Sequence, residues 1–203
     1  MSCEHRFLSD LNPSNGIEYL FIGTFNPFWD SNSSSILPAI YFYGRSRNNF
    51  WTIIPNIFGG LSLKKSSKEV FVKYTDEKKI GITDLITRVM NADENNPSDV
   101  NNLTKGFCDS KLAKYELEFS TESILNFIDK NKATLRGVYL TRSTSGGIKK
   151  IWAEWQKITT ICSKYSIETV ALKTPANYGG GPELKTKKWK EQSKMLNAVV
   201  AKG

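Results

Sequence analysis

The sequence predicts an α/β fold: a three-layer α/β/α sandwich around a central, mainly parallel, four-stranded sheet. Three observations predict it. Four short, largely apolar runs, at 17–22, 79–83, 137–141 and 169–172, each stop at a glycine or a charged residue, as buried strands do. Between them lie segments whose apolar residues recur three or four apart, the spacing of one helix face. The first run delivers Gly23-Thr24-Phe25-Asn26-Pro27, and the second presents Asp84, at the carboxyl edge where open parallel sheets gather their ligands.

Taken in order, residues 17–22 form the first central strand, closed by Gly23, and the small polar residues 31–35 form a loop leading to the aromatic segment 40–43. Asn48 or Asn49 caps a helix carrying Phe50, Trp51, Ile53, Ile54 and Ile57, with Pro55 kinking it or marking a restart and Gly59-Gly60 ending it. Ser66-Ser67 caps a helix over 68–74, and the second strand follows. Residues 91–102, rich in Asn, Asp and Pro and without periodicity, read as a surface loop. Ser120-Thr121-Glu122 opens a helix with Ile124, Leu125, Phe127 and Ile128 on one face. After the third strand and the polar turn 142–147, Ile148, Ile151, Trp152, Trp155, Ile158 and Cys162 mark a helix on the sheet, its tryptophans in the core. The fourth strand leads through the turn 173–182 into a basic final helix from Glu183.

At 203 residues, one domain spanning 1–203 is expected, large enough to bury roughly two thirds of its unfolded surface. No stretch approaches the roughly 20 apolar residues of a membrane span. The opening Met1-Ser2-Cys3-Glu4-His5-Arg6 is too polar for a secretory signal, so the expected place is the cytoplasm, nucleoid-associated, or the nucleus of a eukaryote. Cys3, Cys108 and Cys162 have no metal or disulfide spacing and read as structural or incidental. The single histidine, His5, falls in a stretch expected to fray, which disfavours Ser-His and Cys-His nucleophiles. The net charge of +8 makes nucleic acid the first partner to consider.

Four segments carry chemistry: Gly23-Thr24-Phe25-Asn26-Pro27; Asn48-Asn49-Phe50-Trp51; Gly81-Ile82-Thr83-Asp84-Leu85; and Leu172-Lys173-Thr174-Pro175-Ala176-Asn177-Tyr178. In order and spacing they resemble the uracil-DNA glycosylase superfamily, closest to its mismatch-specific (thymine/uracil) type. The resemblance implies a uracil-DNA glycosylase-like fold, DNA bearing a lesion or mismatch as partner, a monomer, no membrane association, and neither a metal nor another cofactor. Cleaving a base from deoxyribose passes through an oxocarbenium-like sugar and a departing anionic base, which calls for a placed water, donors for developing charge and exclusion of solvent.

By that resemblance the candidate catalytic residues are Asn26, holding the attacking water through its side-chain carbonyl, and Asp84, a second group able to place water or read a base edge. Backbone N–H groups of Thr24 and Phe25 would face the base carbonyl, Phe50 would stack on the flipped ring, and Asn49 and Thr174 complete the base-binding set. Arg45, Arg47, Lys173, Pro175, Ala176 and Asn177 would hold the DNA backbone, with Lys185, Lys187 and Lys188 drawing phosphates, and Tyr178 would wedge into the vacated stack. Gly23 and Pro27 stand four apart where relatives have three, and Thr174 stands where efficient uracil enzymes carry histidine, so uracil specificity is not implied. Two other readings fit the same residues: a non-catalytic nucleic-acid-binding module, and an α/β enzyme acting on free nucleotides. They differ in whether an abasic product forms and whether duplex is ignored.

Overall fold

A computed structural model describes residues 2–30, 38–104, 109–143 and 149–199. The strands are β1 (Cys3–Glu4), β2 (Tyr19–Gly23), β3 (Ile80–Asp84), β4 (Ile86–Val89), β5 (Leu117–Phe119), β6 (Gly137–Leu140) and β7 (Glu168–Ala171). The helices are α1 (Phe50–Phe58), α2 (Lys68–Glu77), α3 (Pro97–Thr104), α4 (Thr121–Asn131), α5 (Lys149–Lys164), α6 (Pro182–Gln192) and α7 (Lys194–Ala198). The four predicted strands form one sheet in the order β3-β2-β6-β7, every pairing parallel. The fold is α/β, with helices on both faces of that sheet.

Alternation along β2 divides the core. Leu20 and Ile22 join Val138 and Leu140 under α4 and α5, whereas Tyr19 and Phe21 join Ile80, Ile82 and Tyr139 under α1, α2 and α6. The second face is the aromatic one: Phe50, Trp51, Phe71 and Trp189 are all fully buried there. Helix α1 runs through Pro55 without interruption. A proline cannot donate to the carbonyl four residues back, and that carbonyl, on Trp51, is taken instead by the Leu63 N–H at 2.8 Å. Of the α5 tryptophans, Trp155 is buried and Trp152 is half-buried against the first cluster.

Three departures from the sequence reading concern this frame. Residues 91–102 are not all loop, because α3 begins inside them: the Asn96 side chain accepts the Ser98 N–H at 2.9 Å, Pro97 takes the first helical position, and Val100 and Leu103 are buried. Only two apolar positions in a polar stretch hid it. A second sheet, antiparallel β1-β4-β5, was also unforeseen; β4 follows β3 after Leu85 alone. Finally, the amino-terminal stretch does not fray, since β1 pairs with β4 and carries His5 inward. The loop expected at 31–35 and Cys108 lie outside the described residues, as does most of the turn at 142–147. Cys3 and Cys162 are buried free thiols, pushed by burial to about 11 and about 12 respectively.

Asp99 anchors α3. Burial raises its carboxyl, but the Tyr115 hydroxyl at 2.5 Å, the Asp93 N–H and Lys114 outweigh that cost and leave it below the usual carboxylate range. A depressed folded-state value stabilises above the unfolded value, about 3.9, and the contribution is lost as pH falls through the folded value. Asp99→Asn is therefore expected to lower the melting temperature at pH 7 more than at pH 3, measured by thermal melts against the parent at both pH values.

Candidate active site

Gly23 and Asp84 end their strands in register with one another, on the aromatic face of the sheet, and Thr141 follows β6 beside them. A Cβ on Gly23 would stand 2.1 Å from Asp84 Oδ1 and 2.7 Å from the Tyr43 hydroxyl. The residue is glycine because two polar side chains converge on its Cα. Past the strand ends the pairing continues, with Leu85 N–H on Gly23 O and Ile86 N–H on Thr24 O, both at 3.1 Å.

The polar centre is a three-residue network. Asn26 Nδ2 donates to Asp84 Oδ2 at 2.6 Å, and His5 Nε2 stands 2.8 Å from that same oxygen. His5 is 2% exposed and Asp84 1%. The Phe7 N–H donates to His5 Nδ1 at 3.0 Å, so Nδ1 is the acceptor and Nε2 carries the proton toward Asp84. Around the imidazole lie the rings of Phe7, Phe25 and Phe42, at 5.9, 5.7 and 5.7 Å between centroids. The network fixes the orientation of the Asn26 amide: its NH2 is engaged by Asp84, and among the described residues its Oδ1 has no hydrogen-bond partner.

Backbone pairing brings His5 to this place. His5 N–H bonds Thr87 O, Arg6 N–H bonds Asn26 O and Phe28 N–H bonds Glu4 O, each at 2.8 Å, so 4–6 runs antiparallel to 26–28. The Arg6 guanidinium clasps the carbonyls of Pro27 (3.1 Å), Phe28 (2.6 Å) and Trp29 (3.3 Å) and the Asp30 carboxylate. On the other side of Asp84, the Ser120 hydroxyl donates to its backbone carbonyl at 2.6 Å.

Phe50 is brought to the same edge but presents no open face. It is 0% exposed, its ring edge-on to Phe21, and Tyr43 lies flat over it at 4.0 Å with an interplanar angle of 13°. Tyr43 holds a left-handed backbone (φ 56°) and its hydroxyl bonds Thr141 Oγ1 at 3.0 Å. The outer ring at this position is thus Tyr43, the residue that also crowds Gly23. A cavity of about 260 Å³ lies elsewhere, on the opposite sheet face, between the segment 8–13 and α4.

The segment after β7 forms the second wall. Asn48 pairs with Ala176, Asn49 N–H donates to Pro175 O at 2.9 Å and Asn177 N–H to Arg47 O at 2.9 Å, so the two predicted walls are joined by backbone bonds. Asn49 is buried as the first residue before α1; its amide donates to Asn177 Oδ1 and accepts from Lys64, both at 3.3 Å. Thr174 uses its hydroxyl on the Ala176 N–H at 3.3 Å. Tyr178 is 70% exposed at the rim.

Two basic residues do something other than the sequence suggested. Lys185 does not face solvent: it is 0% exposed, and its ammonium donates to the carbonyls of Thr174, at 3.0 Å, and Ala176. Burial, then neighbouring Lys173, pulls its pKa below the ordinary lysine value. Arg45 is half-buried and donates to Thr104 O at 3.3 Å, the carboxyl end of α3; burial, then Arg6, lowers its pKa. Arg47 is exposed at the rim, and Lys173, with its amine on Gly179 O at 2.8 Å, stands near Lys188, which lowers its pKa after desolvation.

The structure therefore joins Asn26 and Asp84 in one group and Asn49 and the loop 174–178 in another, with Tyr43 reaching from Gly23 to Phe50 between them. Asp84, 1% exposed with Oδ2 taken by two donors, orients Asn26 rather than placing water or reading a base edge itself. The structure adds His5 and Tyr43, neither of which the sequence reading assigned a role. Among the described residues no cluster of His, Cys, Asp and Glu could hold a metal, and no helix is long and apolar enough to cross a membrane.

The class that fold and site define is an α/β protein with a polar cluster at the carboxyl edge of a parallel sheet. Among solved structures, a Methanosarcina acetivorans protein determined by solution NMR and described as a "putative Uracil DNA glycosylase" is similar over 91% of this chain and 94% of its own. The TM-score is 0.53 and the identity 16%, so the likeness is one of fold. No protein-family model and no curated protein sequence matches the chain.

Proposed function

We propose that the chain is a monofunctional DNA glycosylase of the uracil-DNA glycosylase superfamily, closest to its mismatch-specific (thymine/uracil) type, acting on a flipped damaged or deaminated base. One observation carries the reading: Asn26 is held through its NH2 by a buried carboxyl, which leaves its carbonyl oxygen free to accept a hydrogen bond from water. In the proposed reaction the water oxygen adds to the anomeric carbon and sheds a proton, while the base leaves with the electron pair of the glycosidic bond and takes up a proton. Thr24 and Phe25 would offer backbone donors to the developing charge on the base. Tyr178 would fill the vacated stack, and Arg47, Lys173 and Lys188 would meet phosphates. The likeness in fold to the Methanosarcina acetivorans protein supports the class and leaves the base to be determined.

A second reading has an observation of its own. Tyr43 occupies the face of Phe50 that a flipped base would use, which is what a non-catalytic nucleic-acid-binding module of this fold would carry. On the glycosylase reading Tyr43 must swing aside when a base enters. Labelled oligonucleotides bearing uracil, a G·T mismatch, hypoxanthine or an etheno adduct, treated with protein and then alkali, separate the two. Strand breaks at one lesion are expected. Asn26→Ala is expected to slow that release about 100-fold or more at unchanged duplex affinity, whereas Tyr43→Ala retains it. Duplex binding with no abasic product from the parent or from Tyr43→Ala establishes the module instead.

A further inference from the structure

We infer that His5 is a positioning residue for the proposed reaction, orienting Asn26 through Asp84; its effect on rate rests on the glycosylase reading. The two donors meet on one oxygen, Asp84 Oδ2, from opposite chain segments, Asn26 at 2.6 Å and His5 at 2.8 Å. A carboxyl at the end of a strand can turn about its Cβ–Cγ bond, and the amide hydrogen-bonded to it turns with it. Two donors on Oδ2, with Oδ1 against Gly23, remove that freedom.

The imidazole can serve in one tautomer only. With its proton on Nδ1, the ring would set an N–H against the Phe7 N–H, 3.0 Å away, and turn a bare nitrogen to the Asp84 oxygen. Because His5 and Asp84 are both buried, no water is at hand to replace the lost donor. The backbone reinforces the arrangement: the segment that carries His5 is bonded residue by residue to the one that carries Asn26, so the imidazole and the amide move as one unit. His5 touches no reacting atom in this scheme; it acts on the carbonyl of Asn26 by way of Asp84.

Two variants test this. His5→Gln keeps an N–H close to the imidazole Nε2 position, and His5→Phe keeps the ring volume without it. Single-turnover base release is expected to fall about 10- to 100-fold in His5→Phe, with duplex affinity unchanged, and to return to within a few-fold of the parent in His5→Gln. Parent-like release by His5→Phe, or release by His5→Gln as slow as by His5→Phe, overturns the inference. An arm independent of activity is the 15N spectrum. Couplings of the His5 ring should report the Nε2–H tautomer, and the Asn26 side-chain amide resonances should move in His5→Phe but not in His5→Gln. The other tautomer, or immobile Asn26 resonances, also overturns it. A parent that passes the spectral arm but cuts no lesion keeps the positioning and removes the glycosylase reading alone.

Discussion

Asn26→Asp is expected to weaken the protein at neutral pH, although the resemblance makes aspartate the stronger water activator at this position. In this chain the side chain at 26 is a donor: its Nδ2 lies 2.6 Å from Asp84 Oδ2. The substitution sets an oxygen where that nitrogen stood, and two carboxyls so close share a proton rather than ionise independently. The pair then binds its proton more tightly in the folded than in the unfolded state. A raised folded-state value contributes stability in full below the unfolded value of about 3.9, and loses it as pH climbs through the folded one. The loss at pH 7 is about 1–3 kcal/mol, the cost of a buried polar group left without its partner. Thermal melts at pH 4 and pH 7 check this: the variant should match the parent at the lower pH and melt earlier at the higher. Equal melting temperatures at pH 7 would mean that the 26–84 contact is not a donor–acceptor pair.

Gly23→Ala is the second large effect. The added methyl would meet Asp84 Oδ1 at 2.1 Å and the Tyr43 hydroxyl at 2.7 Å, and neither neighbour is a loose side-chain end. Asp84 is held by Asn26 and His5, and Tyr43 by Thr141 and by its stack on Phe50. One of these sets must give way, at a cost of about 1–3 kcal/mol for an overpacked site. A lower urea midpoint is expected, and in the oligonucleotide assay a loss of base release as complete as in Asn26→Ala, because the shift reaches Asp84. An unchanged midpoint together with parent-like release would show that the glycine is incidental.

The central sheet was legible because strands packed between helices are largely apolar, and the four short runs stand out as such from the amphipathic segments between them. The second sheet was not: β1 has two residues and β5 three, too short to show a period. The candidate site divides the same way. Asp84 ends one strand run and Asn26 follows another by three residues, so local pattern put both at the sheet edge, while His5 was misplaced because its partner lies 79 residues away and no local pattern encodes that contact. Tyr43 and Phe50 were both visible as aromatics beside the site, but which ring lies over the other depends on a left-handed backbone at a residue that is not glycine. For Lys185 a signal was available. It stands four residues before Trp189, on the face of α6 that packs inward, and a lysine there is spaced for burial.

That lysine gives the rim a source of positive potential that solvent does not reach. Small ions cannot come between the ammonium and the carbonyls of Thr174 and Ala176, so added salt damps its field less than that of an exposed lysine. Amine-reactive reagents that strip charge from Lys187 and Lys188 will spare it, and an acidic ligand arriving at the 174–178 loop will still meet an attractive floor.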